Sequence, residues 1–183
     1  QYTAIAPFIA SGPRCSVGHA TWEGRTIQSD EIVFLEIGAS VHRYHTAMMR
    51  SIYTGTPTDA MYEAENIIIK AVDECMAAMR PGVTAGEIDK IARDVLATNS
   101  FGAEQATRTG YSIGIAFAPD WGEGHIISLQ KNDPRLLKEN MVFHLIPWIQ
   151  IPGVAGIGIS ETVRVTPQGG KSMFNFERCL FSK

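Results

Sequence analysis

The segment EIVFLEIGASVHRYHTAMMRSIY, residues 31–53, decides the fold. Its first run, Glu31–Ile37, is rich in β-branched and aromatic side chains, carries the carboxylate of Glu36 and is followed by Gly38. A second run, residues 41–53, returns to similar strand chemistry. Two such runs separated by a short break predict an antiparallel β-hairpin.

Two amphipathic helices are predicted after the hairpin. From residue 59, apolar side chains recur at steps of three and four for about six helical turns, and Pro81 ends this run. Thr84 and Glu87 have the spacing of a capping box, which predicts that a second helix begins there. Strand-like composition then returns in residues 107–115, 141–150, 157–166 and 172–176.

Composition and charge are those of one ordinary globular domain. The 183 residues are 45% hydrophobic and 19% charged, with a formal net charge of −3. A chain of this charge has no general attraction for phosphate backbones, so we expect no nucleic-acid partner. No window reaches the uninterrupted apolar length of a membrane span, about 18 residues, so we expect no membrane association. Cys15, Cys75 and Cys179 lie far apart without a CxxC pair, which favours a reducing, cytoplasmic location.

Two carboxylates lie on strands that are otherwise apolar. The chain contains no P-loop, HExxH string, serine nucleophile elbow or dinucleotide-binding GxGxxG, so Glu36 and Glu161 become the first candidates for chemistry. Burying an unpaired carboxylate is costly, so each is expected to face a cation, a donor cluster or a cleft. A structural ion pair or an outward strand face is the alternative for each.

Histidines supply the second set of candidates. His19 lies between two small residues, which allows a substrate to approach its ring, although a surface or core position is the alternative. His144 lies on a predicted strand, where it either points into the same cavity as Glu161 or is a core histidine with satisfied hydrogen bonds. His42 and His45 are an odd number of residues apart, so both cannot face one side of an ideal strand and at least one is a surface residue.

Four motifs are informative as an ordered set. Arg80-Pro81-Gly82 separates the predicted helices, and RTGYSIG (108–114), NMVF (140–143) and SETVRVT (160–166) follow. In this order they resemble the catalytic domain of the pita-bread superfamily, which includes methionine aminopeptidase, prolidase, aminopeptidase P and creatinase. The likeness covers nearly the whole chain. It implies an α+β fold in which a curved, mostly antiparallel sheet has helices packed on its outer face.

The resemblance also bears on domain organisation. Members of this kind usually carry a small amino-terminal domain and form dimers. The chain begins at Gln1, without an initiator methionine. We therefore expect residues 1–183 to be a single carboxyl-terminal catalytic domain, a fragment that lacks the small amino-terminal domain, and we expect the full-length protein to be a homodimer.

The metallopeptidases of this superfamily hold two metal ions with five side chains. The resemblance implies that the corresponding positions here carry Glu36, Ala47, Tyr111, Ile146 and Glu161. Alanine and isoleucine have no donor atom, and a phenol is an unusual ligand for hard divalent metals. The resemblance therefore predicts no metal site, and no cofactor is expected.

The superfamily also contains branches without metals, of which creatinase is one. His19 occupies the place where creatinase carries its catalytic histidine, and Glu161 matches one of the two glutamates that hold the guanidinium of its substrate. Met49 stands where the other glutamate would be, which argues against creatine as the substrate. GYSIG (110–114) together with the later Phe143-His144 looks more like the ectoine hydrolases, which open a cyclic amidine.

The resemblance, taken with these residues, implies a metal-independent hydrolase that cleaves a non-peptide C–N bond in a small amidine or guanidine compound bearing a carboxylate. An imidazole suits proton transfer because both of its forms exist near neutral pH. Two alternatives stay open: a metallo-aminopeptidase or Xaa-Pro dipeptidase-like enzyme with unusual ligands, and a binding module that kept the fold and lost catalysis. The predicted catalytic residues are His19 and Glu161, and the predicted substrate-binding residues are Glu36, Tyr111, Trp121 and His144.

Overall fold

The computed structural model describes residues 2–105 and 107–183, so Gln1, the first residue of the predicted domain, lies outside the described residues. Within these ranges the chain forms two α-helices, α1 (Asp59–Ala78) and α2 (Ala85–Leu96). A short 3-10 turn occupies Gly12–Ser16. The strands are β1 (Phe8–Ser11), β2 (Ile32–Val41), β3 (Tyr44–Tyr53), β4 (Gly110–Ser112), β5 (Ser128–Leu129), β6 (Val142–Leu145), β7 (Trp148–Ile151), β8 (Ala155–Gly158), β9 (Glu161–Thr166), β10 (Gly169–Ser172) and β11 (Phe181–Ser182).

The predicted hairpin is confirmed as β2 and β3, which pair antiparallel along their whole lengths. Its turn lies at His42 and Arg43, whose φ angles are 48° and 68°. Positive φ at both central residues gives a two-residue turn whose twist matches that of the flanking strands. Gly38 does not end the first strand, as the sequence indicated, but lies inside β2. A side-chain carbon at Gly38 would come 2.9 Å from the ring of Trp121, so the glycine serves close packing.

The two histidines of the hairpin have different surroundings. His42 is exposed, whereas His45 is 3% exposed, which confirms that at least one of them is a surface residue. The Nε2 atom of His45 accepts a hydrogen bond from the backbone N–H of Ala4 at 3.0 Å, and its Nδ1 atom lies 2.8 Å from the carbonyl oxygen of Arg43. His45 therefore fixes the amino-terminal segment against the hairpin.

The strands form one four-stranded and one five-stranded group and a small hairpin. The orders are β1-β2-β3-β11, β10-β9-β6-β4-β5 and β7-β8, and every pair is antiparallel except β11 with β3. The two larger groups meet where β3 runs beside β9: the Thr162 hydroxyl bonds to both the N–H and the C=O of Ala47, and the Ser160 hydroxyl accepts from the N–H of Met49. The predicted α+β fold with a curved, mostly antiparallel sheet is confirmed.

The helices begin where the sequence predicted and cover the sheet with apolar faces. The Thr58 hydroxyl caps α1, and the predicted capping box of Thr84 and Glu87 begins α2. Ala64, Ile68 and Ala71 of α1 are completely buried. Each fully buried aliphatic side chain of isoleucine size stabilises the fold by roughly 1.5–3 kcal/mol, so this stripe holds α1 in place.

A buried aspartate connects α2 to the strand that follows it. Asp89 is 1% exposed and accepts hydrogen bonds from the N–H and the hydroxyl of Thr109, at 3.2 and 2.7 Å. The Nε atom of Arg93, one turn further along the helix, donates to the other carboxylate oxygen at 2.6 Å. These bonds fix the position at which the chain enters β4.

Several predicted strands are shorter in the structure. Pro147 separates β6 from β7, because proline has no N–H for a strand ladder, so the predicted strand 141–150 is divided. The predicted strand 172–176 is wrong, since strand structure lies at Gly169–Ser172 and Phe181–Ser182. In the part of the chain described, neither α-helix combines the length and the apolar character that a bilayer crossing requires.

Candidate active site

Glu36 is the centre of the candidate site. It lies on β2 and is 4% exposed, yet no lysine or arginine among the described residues forms a salt bridge with it. Its titratable neighbours are two imidazoles: His19 Nε2 lies 3.5 Å from one carboxylate oxygen, and His144 Nδ1 lies 3.9 Å from the other. The structure therefore brings three of the predicted site residues together around a buried carboxylate with long and incomplete contacts.

His19 covers this carboxylate from the solvent side. Its side chain is 67% exposed, and its ring stacks on Phe8, with centroids 4.1 Å apart and planes at 4°. Phe8 pairs directly with Glu36 across β1 and β2, which places the imidazole above the carboxylate. The close contact with Glu36 is the main reason why the pKa of His19 is raised above its usual range. This imidazole is accessible and suited to proton transfer.

His144 lies behind Glu36 in a buried hydrogen-bonded chain. Its Nδ1 atom is 2.8 Å from the Tyr111 hydroxyl, and its Nε2 atom is 2.6 Å from the Ser160 hydroxyl. The indole N–H of Trp121 donates to the Tyr111 oxygen at 2.9 Å. Complete burial lowers the pKa of His144 to about 4, and burial also raises the pKa of the Tyr111 phenol. A neutral imidazole has one N–H, so His144 donates to one of its two hydroxyl neighbours and accepts from the other.

Glu161, unlike Glu36, has a cationic partner among the described residues of the protein. Glu161 is 1% exposed and lies at the start of β9, where Arg50 Nη2 donates to one carboxylate oxygen at 2.7 Å. The Ser172 hydroxyl donates to the other oxygen. Arg50 also donates to the carbonyl oxygens of Met49 and Ser160, at 2.8 and 2.6 Å. The Glu161 carboxylate is therefore already neutralised by a guanidinium of the protein itself.

The positions that carry metal ligands in metallopeptidases of this fold do not fit a metal pair here. Ala47, Tyr111 and Trp121 belong to one hydrophobic cluster, and Ile146 packs against it. In residues 2–105 and 107–183, no group of three or more His, Cys, Asp or Glu side chains is arranged to hold a metal ion. An apolar cluster thus occupies the place of three of the five ligand side chains, and the donor set does not match divalent metals.

Sequence reasoning missed two contributors to this site. Phe8 supplies the surface on which His19 stacks, and Arg108 lies with its guanidinium carbon 4.5 Å from the centroid of the Tyr111 ring. Phe8 and His19 belong to different segments, eleven residues apart, so no local spacing could indicate Phe8. Arg108 lies three residues before Tyr111 in RTGYSIG, and this proximity was the one available signal.

Fold and site together define the class of the protein. A curved antiparallel sheet that carries a carboxylate and histidines on its strands and loops, with helices on its outer face, is the catalytic-domain architecture of the pita-bread hydrolases. The chain belongs to metallopeptidase family M24, whose sequence model matches residues 1–167.

Individual relatives divide between two chemistries. The ectoine hydrolase of Halomonas elongata is 31% identical over 184 aligned positions, covering 100% of this chain and 45% of its own length. The Xaa-Pro dipeptidase of Pyrococcus furiosus is 30% identical over 177 positions, covering 97% of this chain and 49% of its own. The chain thus spans about half the length of these curated relatives.

Solved structures agree with the fold. The prolidase structure from Pyrococcus furiosus matches with a TM-score of 0.83 at 30% identity, covering 96% of this chain and 50% of its own. A dipeptidase structure from Mycobacterium ulcerans matches with a TM-score of 0.84 at 28% identity, covering 96% of this chain and 46% of its own. These matches establish the pita-bread fold.

Proposed function

We propose that this protein hydrolyses a non-peptide C–N bond in a small amidine or guanidine compound that also bears a carboxylate, without a metal ion. One observation carries the proposal: the Glu36 carboxylate is 4% exposed and has no lysine or arginine partner among the described residues. A buried carboxylate in this condition is stabilised by a cation that arrives from outside. A planar amidinium fits because its paired N–H groups match the two oxygens of a carboxylate.

The protein itself contains a buried contact between a planar cation and a carboxylate. The Arg50 guanidinium and the Glu161 carboxylate form a buried pair at 2.7 Å, supported by hydrogen bonds to neighbouring groups. The resemblance to creatinase assigns a cation-holding role to Glu161, but that role is filled within the protein by Arg50. We therefore assign the substrate cation to Glu36.

His19 is the proposed proton carrier. Its Nε2 atom faces Glu36, so the carboxylate orients the ring and leaves Nδ1 free to accept a proton from water. The water oxygen adds to the amidinium carbon, His19 takes the proton, and the same proton passes to the departing nitrogen. The C–N bond then breaks, and the hydroxyl proton of the adduct passes to the departing amine, so that one amidinium and one water molecule give one amide and one ammonium group with no exchange of electrons.

The hydrogen-bonded chain behind Glu36 supplies the remaining roles in the proposal. The Tyr111 hydroxyl lies between the indole N–H of Trp121 and Nδ1 of His144, and when Nδ1 carries the imidazole proton the phenol O–H is free to donate a hydrogen bond to the substrate as charge develops. His144 has no exposed surface and therefore acts by positioning Tyr111. Trp121 is 2% exposed, holds the same hydroxyl and excludes water from this side.

The relatives support both this proposal and its alternative. The ectoine hydrolase likeness favours opening of an amidine, whereas the Xaa-Pro dipeptidase likeness favours peptide cleavage. Metal-dependent cleavage needs ligands for two ions, and the corresponding Ala47 and Ile146 offer no donor atom. This difference makes the amidine reading the stronger one.

The experiment is product analysis by mass spectrometry with ectoine, creatine and Xaa-Pro dipeptides, each with and without EDTA. The proposal expects hydrolysis of a non-peptide compound that survives EDTA, is lost in His19→Ala and is retained in His125→Ala, which removes an exposed loop histidine. Removing a general base lowers turnover by about 10²- to 10⁴-fold. Dipeptide cleavage that EDTA abolishes would establish the peptidase instead, and ligand binding without any turnover would establish a binding module.

A further inference from the structure

Arg108 differs from most arginines of this protein in having no acidic partner. Its guanidinium is half-buried and, within the described residues, forms no salt bridge. Its one side-chain hydrogen bond to a described residue is from Nη1 to the Ser128 hydroxyl at 3.1 Å, so most of its five N–H donors have no partner in residues 2–105 and 107–183. Six other arginines each pair with a carboxylate: Arg14, Arg25, Arg50, Arg93, Arg135 and Arg178.

The surrounding residues hold this guanidinium at the candidate active site. Its carbon lies 4.5 Å from the centroid of the Tyr111 ring, a cation–π contact with a residue that also contacts His144. A side chain at Gly124 would collide with the guanidinium, so this glycine leaves the space that Arg108 occupies. Thr109, the next residue, is fixed by Asp89. Contacts with the guanidinium and hydrogen bonds to the adjacent backbone therefore both fix the position of Arg108.

The charges of Arg108 and Glu36 act on the same two imidazoles with opposite sign. Glu36 raises the pKa of His19 and Arg108 lowers it, and both also act in this way on His144. Among the described residues, the site thus contains a carboxylate without a lysine or arginine partner and a guanidinium without a carboxylate partner, and this guanidinium stacks on Tyr111. Such a pair of opposite charges is complementary to a small zwitterion.

We infer that Arg108 binds the carboxylate of the substrate and so selects amidine or guanidine acids over cations that lack a carboxylate. This inference rests on the proposed function, because it takes Glu36 as the group that binds the cationic end. The planar fork of an arginine donates two parallel N–H bonds to a carboxylate, which gives orientation as well as affinity. Arg108 is accordingly a specificity-determining residue, and His19 is left to carry the proton.

The test is calorimetric binding of two pairs of probes in the presence of EDTA. Ectoine and creatine carry both charges, whereas acetamidinium and methylguanidinium carry the cation alone. Arg108→Gln is expected to weaken binding of the zwitterions by about 10- to 100-fold and to leave the plain cations unchanged. Glu36→Gln is expected to weaken both classes. Arg164→Gln removes a guanidinium on β9 that pairs with no carboxylate in the described residues, and it is expected to change neither.

The outcomes separate the inference from the function on which it rests. Arg108→Gln with wild-type affinity for the zwitterions, while Glu36→Gln loses affinity, overturns the carboxylate role and leaves the proposed function intact. A wild-type protein that binds the plain cations more tightly than the zwitterions also overturns the carboxylate role and leaves the proposed function intact. If neither variant changes any affinity, both claims are wrong. Because loss of the contact with Tyr111 also affects folding, Arg108→Lys is measured in parallel: it keeps the charge without the fork, and an intermediate loss supports the inference.

Discussion

Two buried glutamates of this protein occupy similar positions and have opposite surroundings. Glu161 and Glu36 both lie on strands, and they are 1% and 4% exposed. Glu161 accepts from Arg50 and Ser172 and is fully paired, whereas Glu36 has only imidazoles at 3.5 and 3.9 Å. Burial alone therefore does not tell a structural carboxylate from a functional one, and the distinction lies in whether the protein supplies the cation.

The energetic consequences of the two arrangements differ in sign. Removing one partner of a buried ion pair leaves the other charge unpaired, which is strongly destabilising. Neutralising a buried carboxylate that has no cation removes a desolvation cost that nothing in the folded protein offsets. The same Glu→Gln substitution at the two sites is thus a matched comparison.

The largest effect is expected at the paired site. Glu161→Gln should lower the free energy of unfolding by about 3–5 kcal/mol, because the Arg50 guanidinium stays buried without its counter-ion. Denaturant unfolding followed by circular dichroism measures this change. A loss below about 1 kcal/mol, the range of exposed pairs, would mean that Glu161 is not the main partner of Arg50.

The second effect concerns the imidazole behind Glu36. His144 has its pKa lowered to about 4 by burial, so the unfolded chain binds a proton more readily than the folded one between about pH 6.5 and pH 4. Stability supplied by neutral His144 is present above pH 6.5 and is lost as the pH falls, by up to roughly 3 kcal/mol. Unfolding free energies at pH 7 and 4.5 should therefore differ less in His144→Gln than in wild type. Equal pH dependence in the two proteins would show that His144 is charged in the folded state and is itself a cation for Glu36.

A smaller effect is expected at the unpaired carboxylate. Glu36→Gln should keep the free energy of unfolding within about 1 kcal/mol of wild type or raise it, because a buried charge is replaced by a neutral amide of the same shape. The same denaturant titration measures it beside Glu161→Gln. A loss as large as that of Glu161→Gln would erase the difference between the two glutamates.

The smallest effect is a change in the titration of His19. Its pKa is raised chiefly by Glu36, so Glu36→Gln should move the midpoint to lower pH, towards the ordinary imidazole value. Because a raised folded pKa stabilises the charged form, this contribution in wild type is present at low pH and is lost as the pH rises through the folded midpoint. Nuclear magnetic resonance of the imidazole C–H signals follows it. An unmoved midpoint would show that the two side chains do not interact in solution.

The sequence predicted those parts of the fold that depend on local patterns. The capping box at Thr84 and the apolar periodicity of α1 act within a few residues, and the structure confirms both helices. Gly38 was misread because its role depends on Trp121, which is distant in the chain. Strand ends near Pro147 were also misplaced, since ladder pairing depends on partners from other segments.

The candidate site shows the same limit. Glu36 and His144 could be named from the sequence because a carboxylate or an imidazole on an apolar strand is unusual, and His19 could be named from its two small neighbours and from the resemblance to creatinase. The neutralisation of Glu161 could not be predicted, because its pairing with Arg50 joins β3 and β9 across more than a hundred residues. Arg108 had no sequence signal beyond its place in RTGYSIG, since the absence of a nearby carboxylate is a property of the folded chain. The catalytic roles stay predictions.

The most direct test of the central claim, that Glu36 holds the cationic end of the substrate without a metal, is ectoine hydrolysis in EDTA by wild type, Glu36→Gln and Glu161→Gln, measured under conditions in which each is folded. The account predicts activity in wild type, loss of at least about 100-fold in Glu36→Gln, and retained activity in folded Glu161→Gln. Full activity in Glu36→Gln, or wild-type activity that appears only after a divalent metal is added, would contradict it.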